Sequence, residues 1–359
     1  MSGLRFLPPM ETETPEHDRV PGMPHPREML DLVGHGAQEA EFLEAYNGGA
    51  LHHAFLLTGP EGIGKATFAY RAARFLLAQE GQDSGGMFGG PVSLEVPGEA
   101  RAAHLVAQES HPDLGILKRR YDSKTKKFRA EISVEDTRNT LALFEKTAAF
   151  CGWRAIIVDS ADDMNAASAN ALLKTLEEPP EKAIFFLISH QPQRLLPTIR
   201  SRCRVMRFNS LEDDDLSALL MSLRGQGADA DVLARAGGSI RHALRLSDPK
   251  TKAFLAQVDN VLKGFPRKRA NEIDAIAEVT HRGVDGEQAF ADLLEVVELW
   301  LHARARAAAE ANDVMRAADY AEAQTKMREE AATAEAFNLD KRAYVISLFE
   351  GLASLASAG

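Results

Sequence analysis

The chain reads as an α/β domain of the phosphate-loop type on a parallel sheet, followed by a small helical lid and an α-helical C-terminal domain. Three observations predict this. A glycine-rich loop, Gly59-Pro60-Glu61-Gly62-Ile63-Gly64-Lys65, stands between an apolar run and a helical pattern. Apolar runs of strand length then alternate with helical patterns as far as about Phe208, as in a parallel sheet covered on both faces. Beyond Lys250 only helical periodicities remain.

Residues 1–26 carry Pro8, Pro9, Pro15, Pro21, Pro24 and Pro26 among scattered charges, a composition that cannot sustain a helix and reads as a flexible tail. The α/β domain is expected over 27–208. Leu51 to Thr58 supplies its first strand, and Thr67 to Gln79 spaces Phe68, Ala72, Phe75 and Leu76 as a helix with one apolar side. Glu80 to Gly98, rich in glycine with Pro91 and Pro97, reads as a surface insertion. His111 to Leu117 suggests a short strand, and the Lys- and Arg-rich stretch Lys118 to Arg129 a solvated hairpin or loop. Ser133 to Phe144 is a helix by its Val134, Leu141 and Phe144 pattern, and Arg154 to Asp159 is a buried strand. Asn165 to Glu178 is a helix closed by Pro179-Pro180, and Ala183 to Ser189 is a continuous apolar strand. Leu211 to Asp248 reads as short helices broken at Gly225-Gln226-Gly227 and Gly237-Gly238, which gives a lid over 209–255. Long helices at Phe290 to Ala309 and Leu339 to Leu355 make 256–359 a bundle, with Trp300 on an apolar face.

At 359 residues the chain exceeds one ordinary core. A net charge of −10 excludes a broad basic surface as the main route to nucleic acid. Two cysteines, Cys151 and Cys203, are too few for a disulfide framework or a four-thiolate zinc site, which fits a reducing cytosol. No apolar run is long enough to span a membrane, and a cytoplasmic protein is expected.

In a phosphate loop, glycines let backbone N–H groups close around the anion, lysine adds a charge, and the helix N-terminus favours the negative group. Gly59, Gly62, Gly64 and Lys65 suit those roles. The next residue, where a hydroxyl would reach Mg²⁺, is Ala66, and Thr67 is turned about 100° further round the helix. Asp159 ends its strand where a metal-side carboxylate belongs, but the following position, where such ATPases carry a water-activating acid, is Ser160. Asp162 or Asp163 would have to reach back as a base. ATP or ADP with Mg²⁺ is expected to be held weakly if at all, and turnover at this site to be slow or nil.

The pair Asn170-Ala171-Leu172-Leu173-Lys174-Thr175-Leu176-Glu177-Glu178-Pro179-Pro180 and Leu196-Pro197-Thr198-Ile199-Arg200-Ser201-Arg202-Cys203 resembles the AAA+ clamp-loader family. The likeness extends to Leu32-Val33-Gly34-His35, which in that family lies by the adenine, and to Gly238-Ser239-Ile240-Arg241. It covers roughly residues 27 to 250. Spoiled nucleotide motifs with an intact Ser-Arg-Cys are similar to the family's non-hydrolysing stator rather than its motor.

The resemblance implies that Arg202 is an arginine finger entering the ATP site of a neighbouring motor. It implies that Arg241 is the lid's sensor-two arginine, that Ser189 and His190 occupy the sensor-one position, and that the C-terminal bundle is an oligomerising collar. It also implies partners: gamma/tau and delta subunits of a loader, a sliding clamp, and primer–template DNA reached through the assembly. Many bacterial relatives carry a four-cysteine zinc module after the first helix; residues 80–113 contain no cysteine, so no zinc or other metal site is expected. No paired carboxylates for two-metal nucleotidyl transfer are recognisable, so the chain is not expected to polymerise DNA. Two rival readings are an active motor of the same superfamily and a helical scaffold that binds no nucleotide.

Overall fold

The computed structural model describes residues 4–10, 14–16, 18–20, 22–79, 90–125, 127–150, 152–267, 269–281, 283–337 and 339–357. The chain divides into two compact units, Met1–Leu246 and Ser247–Gly359. In the first, α1 (Gly36–Asn47), β1 (Ala54–Thr58), α2 (Lys65–Leu77), α3 (Arg101–Ala107) and β2 (Leu114–Lys118) are followed by the hairpin β3 (Tyr121–Asp122) and β4 (Lys127–Phe128). Then come α4 (Val134–Leu141), β5 (Arg154–Asp159), α5 (Ala166–Glu177), β6 (Ala183–Ser189), α6 (Pro197–Arg200) and β7 (Arg204–Arg207). Three short helices, α7 (Asp213–Arg224), α8 (Ala230–Ala236) and α9 (Ile240–Leu246), complete the unit.

Five strands form one parallel sheet in the order β2-β5-β6-β1-β7. Every residue of β1 and β6 is buried, which is why both read as unbroken apolar runs rather than alternating ones. Phe55, Leu57, Ile157 and Phe186 pack on one face with Phe42, Phe68 and Phe75 of α1 and α2. Leu56, Ile156, Val158, Phe185 and Leu187 point the other way, onto Leu172 and Leu176 of α5 and Ile199 of α6. Because all the strands run in one direction, their C-terminal ends share one edge of the sheet. That edge carries Thr58, Lys118, Asp159, Ser189 and Arg207.

The expected surface insertion at Glu80 to Gly98 is corrected in its second half. Leu94 and Val96 are buried in the core, and Asn47 Nδ2 donates to Pro91 O at 3.0 Å. Residues 80–89 lie outside the described residues.

The expectation of a flexible tail over 1–26 is also corrected for its described residues. Phe6 bridges antiparallel to Met29, with Leu7 N donating to Glu28 O at 2.8 Å and Leu30 N to Arg5 O at 3.0 Å. Arg5 pairs with Asp31 at 2.6 Å. Glu16 meets Arg27 at 2.5 Å, Arg19 at 2.7 Å and Lys118 at 3.2 Å. The fully buried Glu28 carboxylate takes Arg19 at 2.8 Å and the backbone N–H of His25 at 2.7 Å. Arg74 of α2 donates to Arg27 O at 2.7 Å and Met29 O at 3.0 Å. No helix forms, as the prolines require, but the segment is a strapped arm. Its anchors are charges and backbone groups, which leave no hydrophobic periodicity to read.

Burial pushes the Glu16 carboxyl up, but hydrogen bonds from Arg27 and Arg19 and the Lys118 charge outweigh it and hold the group at about 2. A depressed folded pKa contributes stability that is complete above the unfolded value and is lost as pH falls through the folded one. The window here runs from 4.5 down to about 2. Glu16→Gln is expected to lower stability by about 1–2 kcal/mol at pH 7, the full shift being reduced by solvent screening of a half-buried group, with the difference from the unmodified chain vanishing near pH 2. Urea unfolding followed by Trp153 fluorescence, in a Trp300→Phe background, checks both.

The second unit holds α10 (Pro249–Gly264), α11 (Ala270–His281), α12 (Gly283–Glu310), α13 (Val314–Ala336) and α14 (Lys341–Ser357). Val258, Val261, Ile276, Phe290, Leu293, Val297, Leu301, Val345 and Phe349 are buried in this unit. Trp300 packs edge-on to Phe265 and Tyr320 at 5.9 and 6.0 Å between ring centroids and is half-buried. Among the described residues no helix is long and apolar enough to cross a membrane.

Candidate functional site

A cavity of about 610 Å³ opens at the strand-end edge of the first unit, within the range that holds a small ligand. It is lined by Gly62 to Thr67 of the loop, by Asp159, Ser160, Asp162 and Asp163, by His190, and by Ile240, Arg241 and Leu244 of α9. Of the sequence-predicted residues, Gly62, Gly64, Lys65, Ala66, Thr67, Asp159 and Arg241 meet here. Arg202 is not part of this wall.

The loop conformation explains its glycines. Gly62 has φ 74° and Gly64 φ 111°, left-handed values that side chains resist. A Cβ on Gly62 would come within 2.3 Å of Ser239 Oγ, and one on Gly59 within 2.3 Å of Phe208 O. This close approach lets Ile240 N donate to Gly62 O at 2.9 Å, tying the loop to α9. His35 covers the loop from the other side. Its Nε2 sits 2.6 Å from Ile63 O and must therefore donate, and its ring packs on Phe208 at 4.9 Å.

Gly64 is the N-cap of α2, so Lys65 is the first helical residue, two positions earlier than the expected start at Thr67. Lys65 is buried, and its ammonium donates to Gly59 O at 2.6 Å and to Pro60 O. Burial draws its pKa down to about 8, against the pull of Asp159, Glu61 and Asp162. The ammonium is thus turned onto the loop's own carbonyls, beside the first turn of α2, where backbone N–H groups lack intrahelical acceptors and favour an anion. Arg241 Nη1 meets Glu61 Oε1 at 2.9 Å, which places its guanidinium over the same loop.

The metal side is poorer. Burial, and then the charge of Asp18, push the Asp159 carboxyl up to about 7, against Arg241, Lys118 and Lys65. Ala66 offers no hydroxyl. Ser160 Oγ donates to Asp162 Oδ2 at 3.2 Å and accepts the Asp162 N–H at 3.2 Å. The residues present therefore suit a phosphate better than a hydrated Mg²⁺.

Neither candidate replacement base is free. Asp162 Oδ1 accepts from Ser189 Oγ at 2.7 Å, and Oδ2 accepts from His190 N at 2.5 Å. Its carboxylate thus stitches the end of β5 to the end of β6. Asp163 pairs with Arg119 at 3.2 Å. From the sequence Asp162 was an acid that would have to reach back to act as a base, and only the fold reveals that both its oxygens accept from Ser160, Ser189 and His190.

Two contributors were not legible beforehand. Glu61 of the loop is the partner of Arg241, and Asp18 of the arm enters the cavity wall, paired with His25 at 2.8 Å. Burial pushes the Asp18 carboxyl up, but His25 and Lys118 outweigh it and hold the group well below the usual carboxylate range.

The Ser201-Arg202-Cys203 turn links α6 to β7. Ser201 Oγ donates to Thr198 O at 3.1 Å. Cys203 packs against the core, and burial pushes its thiol up to about 12, so it anchors rather than reacts. Arg202 points outward, with Nη1 donating to Thr198 O at 2.9 Å and Nη2 paired with Glu177 at 2.6 Å. Of its neighbours, Arg204 is likewise paired, with Glu41 at 2.8 Å, and Arg200 is exposed on α6. The basic stretch is a hairpin, as expected, and much of its charge is engaged: Lys118 with Glu109 at 2.7 Å and Arg120 with Asp136 at 2.8 Å.

A family described as "DNA polymerase III, delta subunit" matches residues 34–212. The chain is 38% identical over 210 residues to DNA polymerase III subunit delta′ of Pseudomonas aeruginosa, covering 57% of this chain and 59% of that protein. It is 33% identical over 165 residues to the Escherichia coli delta′, covering 46% and 45%. To DNA polymerase III subunit tau/gamma of Haemophilus influenzae it is 30% identical over 242 residues, covering 66% of this chain and 32% of that protein. The chain thus spans between about half and three fifths of the length of these delta′ relatives. The matched stretch begins at the His35 box, contains the loop, the β5–β6 strand ends and the Ser-Arg-Cys turn, and stops where the short helices begin. On that ground the chain belongs to the DNA polymerase III delta-subunit family, and within it resembles the delta′ subunits.

Proposed function

We propose that this chain is a delta′-type stator of a DNA polymerase III clamp loader, acting in the cytoplasm. It supplies Arg202 to the ATP site of a neighbouring gamma/tau subunit while its own site turns over little or no nucleotide. The observation that carries this reading is the division between the two ends of the unit. Inside the cavity the metal-side hydroxyl and the general base are replaced by Ala66 and Ser160, and Asp162 is committed to the β6 turn. Outside it, Arg202 stands on an anchored turn at the surface. A guanidinium delivered in trans stabilises charge on a transferring phosphoryl group and needs no metal or base of its own.

In this reading Gly59, Gly62, Gly64, Lys65, Thr67 and Arg241 retain a nucleotide-holding frame, with Asp159 the residual metal-side carboxylate. The frame holds ATP or ADP weakly, with Mg²⁺ poorly supported at Ala66. The short helices α7 to α9 act as the lid, and the second unit, which begins at Ser247 rather than at the expected 256 because α10 runs unbroken from Pro249 to Gly264, acts as a collar that joins gamma/tau and delta subunits. The assembly opens a sliding clamp and places it on primed DNA. Reconstitution tests the reading: added to gamma/tau and delta, the chain should raise clamp- and DNA-stimulated ATP hydrolysis while hydrolysing nothing measurable alone. Stimulation that does not depend on its presence would remove the stator role.

A further inference from the structure

Glu177 is the last residue of α5, at the end of a helix where the macrodipole disfavours negative charge. Glu178 puts a second acid at the same end, so the stability of α5 calls for neither. The two differ in what they touch. Glu177 Oε1 meets Arg202 Nη2 at 2.6 Å, beyond the short helix α6, whereas Glu178 has no ion pair among the described residues.

Both ends of the Glu177–Arg202 contact are anchored. Leu176, one residue before Glu177, is buried on the sheet, and its carbonyl accepts from His53 Nε2 at 3.0 Å. On the other side Ile199 is buried and Cys203 packs on the same core, while Arg202 N donates to Ile199 O at 3.1 Å. The guanidinium is then restrained at both terminal nitrogens, Nη1 by Thr198 O at 2.9 Å and Nη2 by the Glu177 carboxylate. Its remaining N–H groups are left for an acceptor outside the chain.

We propose that Glu177 is a positioning residue for Arg202: its carboxylate selects one arrangement of that long side chain and presents the guanidinium to the neighbouring site already ordered. This rests on the finger reading of Arg202 and adds a residue that the Ser-Arg-Cys turn does not include. An arginine side chain has large rotamer freedom when nothing holds it, and a charge stabilises a transition state best when it is in place beforehand. A displacement of about 1 Å costs on the order of 10²-fold in rate. The opposing effect, partial neutralisation of the finger, is smaller. The Glu177 side chain is 49% exposed, so water and salt screen its charge, while the restraint on position is kept.

The test is steady-state ATP hydrolysis by the reconstituted assembly with clamp and primed DNA, read as kcat and KM for ATP. This chain carries in turn Glu177→Gln, Glu177→Asp, Glu178→Gln, Arg202→Ala, and Glu177→Gln together with Arg202→Ala. Glutamine has nearly the shape of glutamate and the position is exposed, so the fold is expected to persist; gel filtration of each assembly checks this. Glu177→Gln is expected to lower kcat about fivefold, the modest size that an exposed ion pair allows, with KM for ATP unchanged. Glu177→Asp, which keeps the charge on a shorter arm, should fall between. Glu178→Gln should change nothing, and Glu177→Gln should cost nothing further once Arg202 is gone, because it acts only through that residue. An unchanged or raised kcat for Glu177→Gln, an equal loss with Glu178→Gln, or a further loss in the absence of Arg202 overturns the positioning role, and the stator reading then stands on Arg202→Ala alone. If Arg202→Ala itself leaves the rate unchanged, the stator reading falls and this inference with it.

Discussion

Replacing Arg202 by alanine in the reconstituted assembly is expected to lower stimulated ATP hydrolysis by about 10³-fold or more at the site it serves, with the assembly intact. A thousandfold loss corresponds to about 4 kcal/mol of transition-state stabilisation, at 1.36 kcal/mol per decade. The geometry favours a clean separation of rate from folding. Arg202 makes a surface ion pair with Glu177 and one bond to Thr198 O, and exposed pairs of this kind contribute only about 0–1 kcal/mol to stability. Arg202→Lys should recover little, because a point charge cannot reproduce the planar two-pronged contact. Steady-state hydrolysis with clamp and primed DNA, beside a gel-filtration profile, checks the prediction. An unchanged rate, or a loss explained by dissociation, would contradict it.

Asp162→Ala is expected to have the opposite signature, a loss of stability of about 3 kcal/mol or more with little effect on the assembly's hydrolysis rate per folded complex. The carboxylate accepts from Ser189 Oγ, Ser160 Oγ and His190 N, and removing it leaves those donors without their acceptor at the sheet edge. Were Asp162 instead the general base of an active motor, the substitution would cost about 10²–10⁴ in rate. Urea unfolding of the isolated chain and hydrolysis by the assembly decide between the two. The active-motor reading survives only if the rate falls and the stability does not.

What the sequence disclosed and what it hid divide along physical lines. β1, β5 and β6 were legible because both faces of a central parallel strand are covered, so Phe55, Leu56 and Leu57, or Phe185, Phe186 and Leu187, appear as unbroken apolar runs. β7 escaped because it is an edge strand: only Met206 is buried, between Arg204, Val205 and Arg207 at the surface. α13 escaped for a related reason. Besides Tyr320 and Met327 its buried positions include Ala331 and Ala334, and alanine marks a helix face only faintly. The loop glycines were legible as motif, and the distances at Gly59 and Gly62 supply the reason for them.

The candidate site was legible where a residue type alone states its chemistry, as in Lys65, Ala66 and Ser160. It was not legible where the partner decides. Nothing in the local sequence assigns Glu61 to Arg241, spends Asp162 on Ser189 and His190, or brings Asp18 beside the strand ends. The arm was misread because proline and charge usually mean a solvated chain. Here the charges are internal anchors, and composition cannot distinguish an acid facing water from one facing Arg27.

The central claim is that this chain lends a residue to another site and does not depend on turnover at its own. The most direct measurement is the clamp- and DNA-stimulated hydrolysis rate of two parallel assemblies, one carrying Lys65→Ala in this chain and the other Arg202→Ala. The account predicts a rate within about twofold of the unmodified assembly for Lys65→Ala, since the metal-side hydroxyl and base are already missing beside it, and a collapse for Arg202→Ala. A collapse with Lys65→Ala and none with Arg202→Ala would mean that the loop of this chain does the hydrolysis, and the stator account would be wrong.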